Sequence, residues 1–352
     1  MQAVRRAGRA FVVGVAAGLL VLVPSTAWAT GGFGKRGSVS SQSPAPSGAK
    51  GTSGPDGDLG AYAWNVNYDT SKDKTGVGAG PVTPVANYTP PACWYAPTWD
   101  AKGYKKYAED SYNGEHNDPH GAGSDLIQDG NGKDPYHLKE QDKGYWWYGH
   151  IDQSQLNSPN IGDCNAKPFW VPKGVTPKAA ESLSPEQLAQ LAYAHLKVPP
   201  TRVTLNPAML QTVNLPTWVW LKANRFHPMS VTASTGLLGI SATTTATPVS
   251  LHLDAGTADA QLYPSSGDCP AKADGTIGTA YKPGDKGDPP CGIRYQHAST
   301  SGPFTMTATL TWKVTWTSNL AAGRHQLPSG TFRQPHDMSV QEVQTVVSGS
   351  GG

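Results

Sequence analysis

The stretch from residue 304 to 317 reads Phe-Thr-Met-Thr-Ala-Thr-Leu-Thr-Trp-Lys-Val-Thr-Trp-Thr, and no other stretch of the chain restricts the fold so tightly. Phe304, Met306, Ala308, Leu310, Trp312, Val314 and Trp316 alternate without a break against five threonines, Lys313 and a closing Thr317. A period of two places all the large apolar groups on one face of a strand, whereas a helix would scatter them around its circumference. Fully extended at ~3.3 Å per residue, the segment spans about 45 Å. One face must lie on a core while the threonine face meets water, which is the arrangement of an antiparallel sheet rather than a buried parallel one.

Seven or eight strands are expected around it. They are assigned at 215–221, 229–234, 237–246, 248–254, 292–297 and 304–317, with a hairpin near 320–323 and a last strand at 339–347. Their number and the turn residues between them predict a mainly β fold, with an Ig-like antiparallel β-sandwich over 213–347. A connector (184–212) precedes it and opens on the clearest helix of the chain. Ser184 suits the N-cap, Pro185 the first helical position, and Gln187 completes a capping box. Leu188, Leu191, Ala192, His195 and Leu196 form its apolar stripe, and Pro199-Pro200 ends it.

Residues 59–183 have a different character. Trp94, Tyr95, Trp99, Tyr104, Tyr107, Tyr112, Tyr145, Trp146, Trp147, Tyr148, Phe169 and Trp170 all fall here. We read this part as a small aromatic-rich α+β subdomain. A first strand lies within 61–68, and a short helix over 101–112 aligns Tyr104, Tyr107, Ala108 and Tyr112.

The N-terminus carries an address. Arg5, Arg6 and Arg9 precede an apolar run from 11 to 23, and Ala27-Trp28-Ala29 follows. A basic start, a short apolar core and an Ala-x-Ala site predict a secretory signal peptide over 1–29, too short in its apolar part to span a bilayer. Residues 30–58 and 348–352 lack the apolar side chains a core needs and read as a disordered leader and tail. The expected location is extracellular or cell-envelope associated, without stable membrane insertion after cleavage. Cleavage removes three arginines and no acids, leaving 25 basic against 26 acidic side chains, a net charge of −1. That balance provides no general attraction to nucleic acid.

Four cysteines, Cys93, Cys164, Cys269 and Cys291, suit two disulfides in an exported chain. Three pairings are possible. Cys93–Cys164 with Cys269–Cys291 keeps each bridge inside one proposed unit. No Cys-x-x-Cys pair supports a zinc site.

With the helix and strands placed, the chain resembles a group of exported actinobacterial proteins of unknown function. The resemblance rests on Glu186-Gln187-Leu188-Ala189-Gln190-Leu191-Ala192, on Val213-Asn214-Leu215-Pro216-Thr217-Trp218-Val219-Trp220, and on the cysteine-bounded loop before Thr311-Trp312-Lys313-Val314-Thr315-Trp316. It implies export and the β fold and carries no catalytic residue across.

Candidate chemistry is sparse. Asp129, Asn131 and Glu140 occupy positions one, three and twelve of a calcium loop, but Lys133 and Asp134 stand where a ligand and the turn glycine belong. A solvated Asp-Gly/Asn-Gly turn is the competing reading. Glu115, His116, Asp118 and His120 are the densest set of possible transition-metal ligands, in a stretch that Pro119 keeps from being helical. The run Tyr145, Trp146, Trp147 and Tyr148 offers either exposed rings for stacking on sugars, flanked by Asp142 and Asp152, or the core of a small domain poor in aliphatic residues. No nucleophile elbow, phosphate loop or His-Glu-x-x-His occurs, and no dinucleotide fingerprint stands between a strand and a helix in the sequence pattern. The expected function is therefore non-enzymatic binding of a cell-envelope or extracellular partner. Binding of a cell-wall glycan through the aromatic run is the alternative, and a calcium-stabilised module a second one.

Overall fold

The computed structural model describes residues 65–72, 79–85, 88–112 and 134–344. The signal segment, the leader, the tail, Asp129, Asn131 and the 115–120 cluster lie outside them. In chain order the strands are β1 (Val66–Asp69), β2 (Gly80–Pro81), β3 (Thr83–Pro84), β4 (Cys93–Trp99), β5 (Gly144–Ile151), β6 (Phe169–Pro172), β7 (Lys197–Val198), β8 (Thr204–Asn206) and β9 (Leu210–Thr212). They continue with β10 (Pro216–Trp220), β11 (Met229–Thr235), β12 (Ser241–Asp254), β13 (Ala260–Tyr263), β14 (Asp268–Pro270), β15 (Gly292–Tyr295), β16 (Phe304–Ser318) and β17 (His325–Gln341). Two α-helices accompany them among the described residues, α1 (Ala101–Tyr112) and α2 (Pro185–His195).

The protein is mainly β, built on a curled eight-stranded sheet with the path β1-β11-β12-β16-β17-β3. β14 adds to β12, and β9 pairs with β17 as the one parallel neighbour in that sheet. The alternating segment is its central strand, β16. Met306, Leu310, Trp312 and Val314 are fully buried, while Thr305, Lys313 and Thr317 are exposed. On the outer face, hydroxyls bridge neighbouring strands, with Ser230 Oγ to Thr245 Oγ1 and Thr232 Oγ1 to Thr243 Oγ1 each at 2.8 Å. Such cross-strand pairs add a few tenths to about 1 kcal/mol each.

The inner face is covered by α2 and by a second sheet of order β13-β15-β10-β8, whose Val219, Ile293 and Tyr295 join the same core. Ser184 caps α2 by accepting from the Gln187 N–H at 3.1 Å, as the sequence predicts. Leu188, Leu191 and Leu196 are buried in the same core, and the Thr244 hydroxyl of β12 donates to the Ala189 carbonyl at 2.7 Å. A buried threonine in an otherwise apolar row is thus satisfied by the helix lying on it.

Several elements depart from the expected boundaries. The two strands expected at 237–246 and 248–254 are one, β12, bent at a bulge between Pro248 and Ser250. β17 begins at His325 rather than 339, because Pro328, Gly330 and Pro335 read as breakers. Pro328 lies where the register with β16 shifts between Trp312 and Val314, a place where a ladder hydrogen bond is not required. Gly330 has a reason of its own: a Cβ there would overlap Val82 and crowd the Tyr193 hydroxyl. β1 and β3, from the aromatic-rich part of the chain, form outer strands of the large sheet.

Both expected disulfides are formed, Cys93–Cys164 and Cys269–Cys291. The core geometry sets a stability prediction. Leu310 is fully buried at the centre of β16, so Leu310→Ala should cost roughly 2–5 kcal/mol. A lowered denaturant midpoint with unchanged slope is the expected reading.

Candidate functional site

The aromatic run lies on β5, the middle strand of a three-stranded sheet of order β4-β5-β6. Alternation sends Tyr145 and Trp147 to one side and Trp146 and Tyr148 to the other. Trp147 enters the main core, with Tyr145 packed at its margin beside Lys173. Trp146 is sealed by α1. Its ring stacks on Tyr104 at 3.8 Å, meets Trp170 edge-on at 5.9 Å, and its indole N–H donates to the Tyr136 carbonyl at 3.2 Å.

Of the two readings of the run, Trp146 and Trp147 follow the core one and not the exposed one, since they are only 1% and 4% accessible. Both faces of β5 are covered, one by the main core and one by α1, so its large rings serve packing. Tyr145 and Tyr148 keep partial exposure. Tyr148 joins two half-buried rings from other elements, Trp99 (5.4 Å) and Tyr107 (6.4 Å), and Trp99 stacks on Tyr107 at 4.4 Å. These three rings form an aromatic group that retains access to solvent. α1 is held in place at its start by Asp100, whose carboxylate accepts from the Gly103 N–H at 2.8 Å. At Gly149 a Cβ would overlap the Cys164 carbonyl oxygen, so glycine is what lets the 164 segment lie against β5.

Of the proposed calcium ligands only Glu140 is described. It sits in a short 3-10 helix with its carboxylate 2.8 Å from His137 Nδ1. Among the described residues no group of three or more His, Cys, Asp or Glu side chains converges as a metal site would require.

The densest polar cluster was not legible in the sequence. Asp152 follows β5 and is nearly buried, at 6% accessibility. Its Oδ2 lies 2.5 Å from Nε2 of His195, the last residue of α2, and 3.5 Å from the Tyr68 hydroxyl of β1. Its Oδ1 accepts from both the Ser154 N–H (2.9 Å) and the Ser154 hydroxyl (2.7 Å). The Tyr68 ring stacks on the His195 imidazole at 3.7 Å. Burial alone would raise the Asp152 carboxyl, but the hydrogen bonds from His195 and Ser154 outweigh it and hold it below its ordinary value. Burial, reinforced by the neighbouring Asp152 charge, keeps the Tyr68 phenol well above its ordinary value. Both carboxylate oxygens are thus committed, and the group fastens three distant segments together. Sequence reading placed His195 in the apolar stripe of the helix and Asp152 beside the aromatic run. The separations of 43 and 84 residues leave no local pattern joining them.

A second, partly buried polar contact lies nearby, where His150 Nε2 and Thr98 Oγ1 are 2.8 Å apart. Burial pushes the His150 imidazole down to about 3.

Comparison with protein-family models, with curated proteins and with solved structures returns no match.

Two predictions follow from the buried groups. Asp152→Ala removes the carboxylate from three partners and should destabilise the fold by about 3 kcal/mol in chemical denaturation. His150 is neutral when folded but takes up a proton on unfolding below its ordinary value of about 6.5. Stability should therefore fall as pH drops from about 6.5 toward about 3. His150→Gln should flatten that part of the stability–pH curve.

Proposed function

We propose that this is a non-enzymatic exported protein that binds a partner at the cell envelope or in the extracellular space. Two disulfides suit an oxidising compartment, and no helix among the described residues is long and apolar enough to cross a membrane. The N-terminal basic, apolar and Ala-x-Ala segments add the signal-peptide reading, and the likeness to exported actinobacterial proteins agrees with it. The observation that supports a binding rather than a catalytic reading is that the Asp152 cluster has an evident structural role, joining β1, the end of β5 and the end of α2 through the acid, imidazole, phenol and hydroxyl.

A second reading, glycan binding, is favoured by a different observation. Trp99, Tyr107 and Tyr148 group three half-buried rings from β4, α1 and β5. Aromatic faces with partial exposure present apolar area to the C–H face of a sugar ring. On this reading the site moves from Trp146 and Trp147 to those three rings.

Co-sedimentation of the oxidised protein with isolated envelopes, before and after protein is stripped from them, separates the two. Pelleting with intact envelopes and release to the supernatant with stripped walls is the expected outcome. Pelleting with stripped walls that Tyr148→Ala and Trp99→Ala weaken would replace the protein-partner reading with the glycan one.

A further inference from the structure

The large sheet is unevenly held. β12 and β16 pair at twelve positions, but β1, at the edge, meets β11 at only four, Val66 with Thr235 through Asp69 with Thr232. β1 encloses one side chain in the core, Val66 at 4% accessibility, and packs Tyr68 at the core's margin. Its other attachment is Tyr68, which stacks on His195 and reaches Asp152. Both of those partners belong to firmly seated parts of the body. His195 ends α2, which is buried along most of its length, and the Asp152 N–H donates to the Ala92 carbonyl at 2.8 Å.

We propose that β1 is a latched edge strand, fastened by the Tyr68–His195–Asp152 contact, which opens as a unit while the rest of the sheet stays closed. A four-residue strand with one fully enclosed side chain has far less to lose on detaching than β12 and β16, of 14 and 15 residues, each buried along most of one face. Opening uncovers the backbone of Thr232–Thr235 on β11. The latch residues come from three parts of the chain, so their contact sets the closed state independently of the β1–β11 ladder. The imidazole is the central element, since it touches both the ring and the carboxylate.

Native-state hydrogen exchange on the full oxidised protein tests this, with protection read separately at Val66–Asp69 and at β12 and β16. The expected result in the unmodified protein is exchange at β1 at least ~100-fold faster than at β12 and β16, with little dependence on added denaturant. His195→Gln should speed exchange at β1 by about tenfold and leave β12 and β16 unchanged. Exchange of β1 in step with β12 and β16, with the same denaturant dependence, would overturn the proposal. So would rapid β1 exchange that His195→Gln fails to alter, because the latch would then hold nothing. Should that variant fail to fold, Tyr68→Leu, which removes the ring stacked on His195, gives the second test: faster exchange at β1 alone supports the latch, and unchanged exchange there overturns it.

Discussion

Burial of the alternating face of β16 against α2 and the second sheet is the constraint on which the remaining structure depends. Met306, Leu310, Trp312 and Val314 form one continuous apolar row, and β12 and β17 extend it on either side. A sheet this long cannot leave such a face in water, because each large side chain contributes roughly 1.5–3 kcal/mol on burial. The helix answers that need over β11 and β12, and the four-stranded sheet joins the same core. Thr244 records how close the helix lies, since its hydroxyl is satisfied by a helix carbonyl rather than by water.

The aromatic part of the chain follows a different principle. With few aliphatic residues, it builds its packing from rings on both faces of β5, and Cys93–Cys164 closes it. One consequence is that aromatic density is a poor guide to a binding surface. Trp146 and Trp147 sit in the middle of the run and are its most enclosed members, while partial exposure is left to Tyr145 and Tyr148 and to Trp99 and Tyr107 from other elements. Function, if it uses these rings, depends on which ones the neighbouring helix fails to cover.

Polar chemistry in the interior is likewise spent on joining segments. Asp152 ties β1, the end of β5 and the end of α2. Removing one partner from such a group leaves a nearly buried charge, which is far more costly than never having placed it there. That asymmetry explains how a few buried polar residues can hold a short edge strand that apolar packing alone holds weakly.

Local pattern by itself determined a good deal. Alternation in β16, the capped helix at Ser184 and the mainly β character depend on neighbours a few residues apart, and such periodicities are written directly in the chain. The two disulfides also follow from keeping each bridge within one stretch of chain. Only the tertiary structure decided that β17 runs through Pro328 and Pro335, because a bulge and a sparsely paired outer edge remove the need for the missing N–H groups. It alone buried Trp146 and Trp147, since a strand shows its own period but not what covers each of its faces. And it alone brought Tyr68, Asp152 and His195 together, because contacts across 43 and 84 residues are set by how sheets and helix stack, which no local spacing encodes.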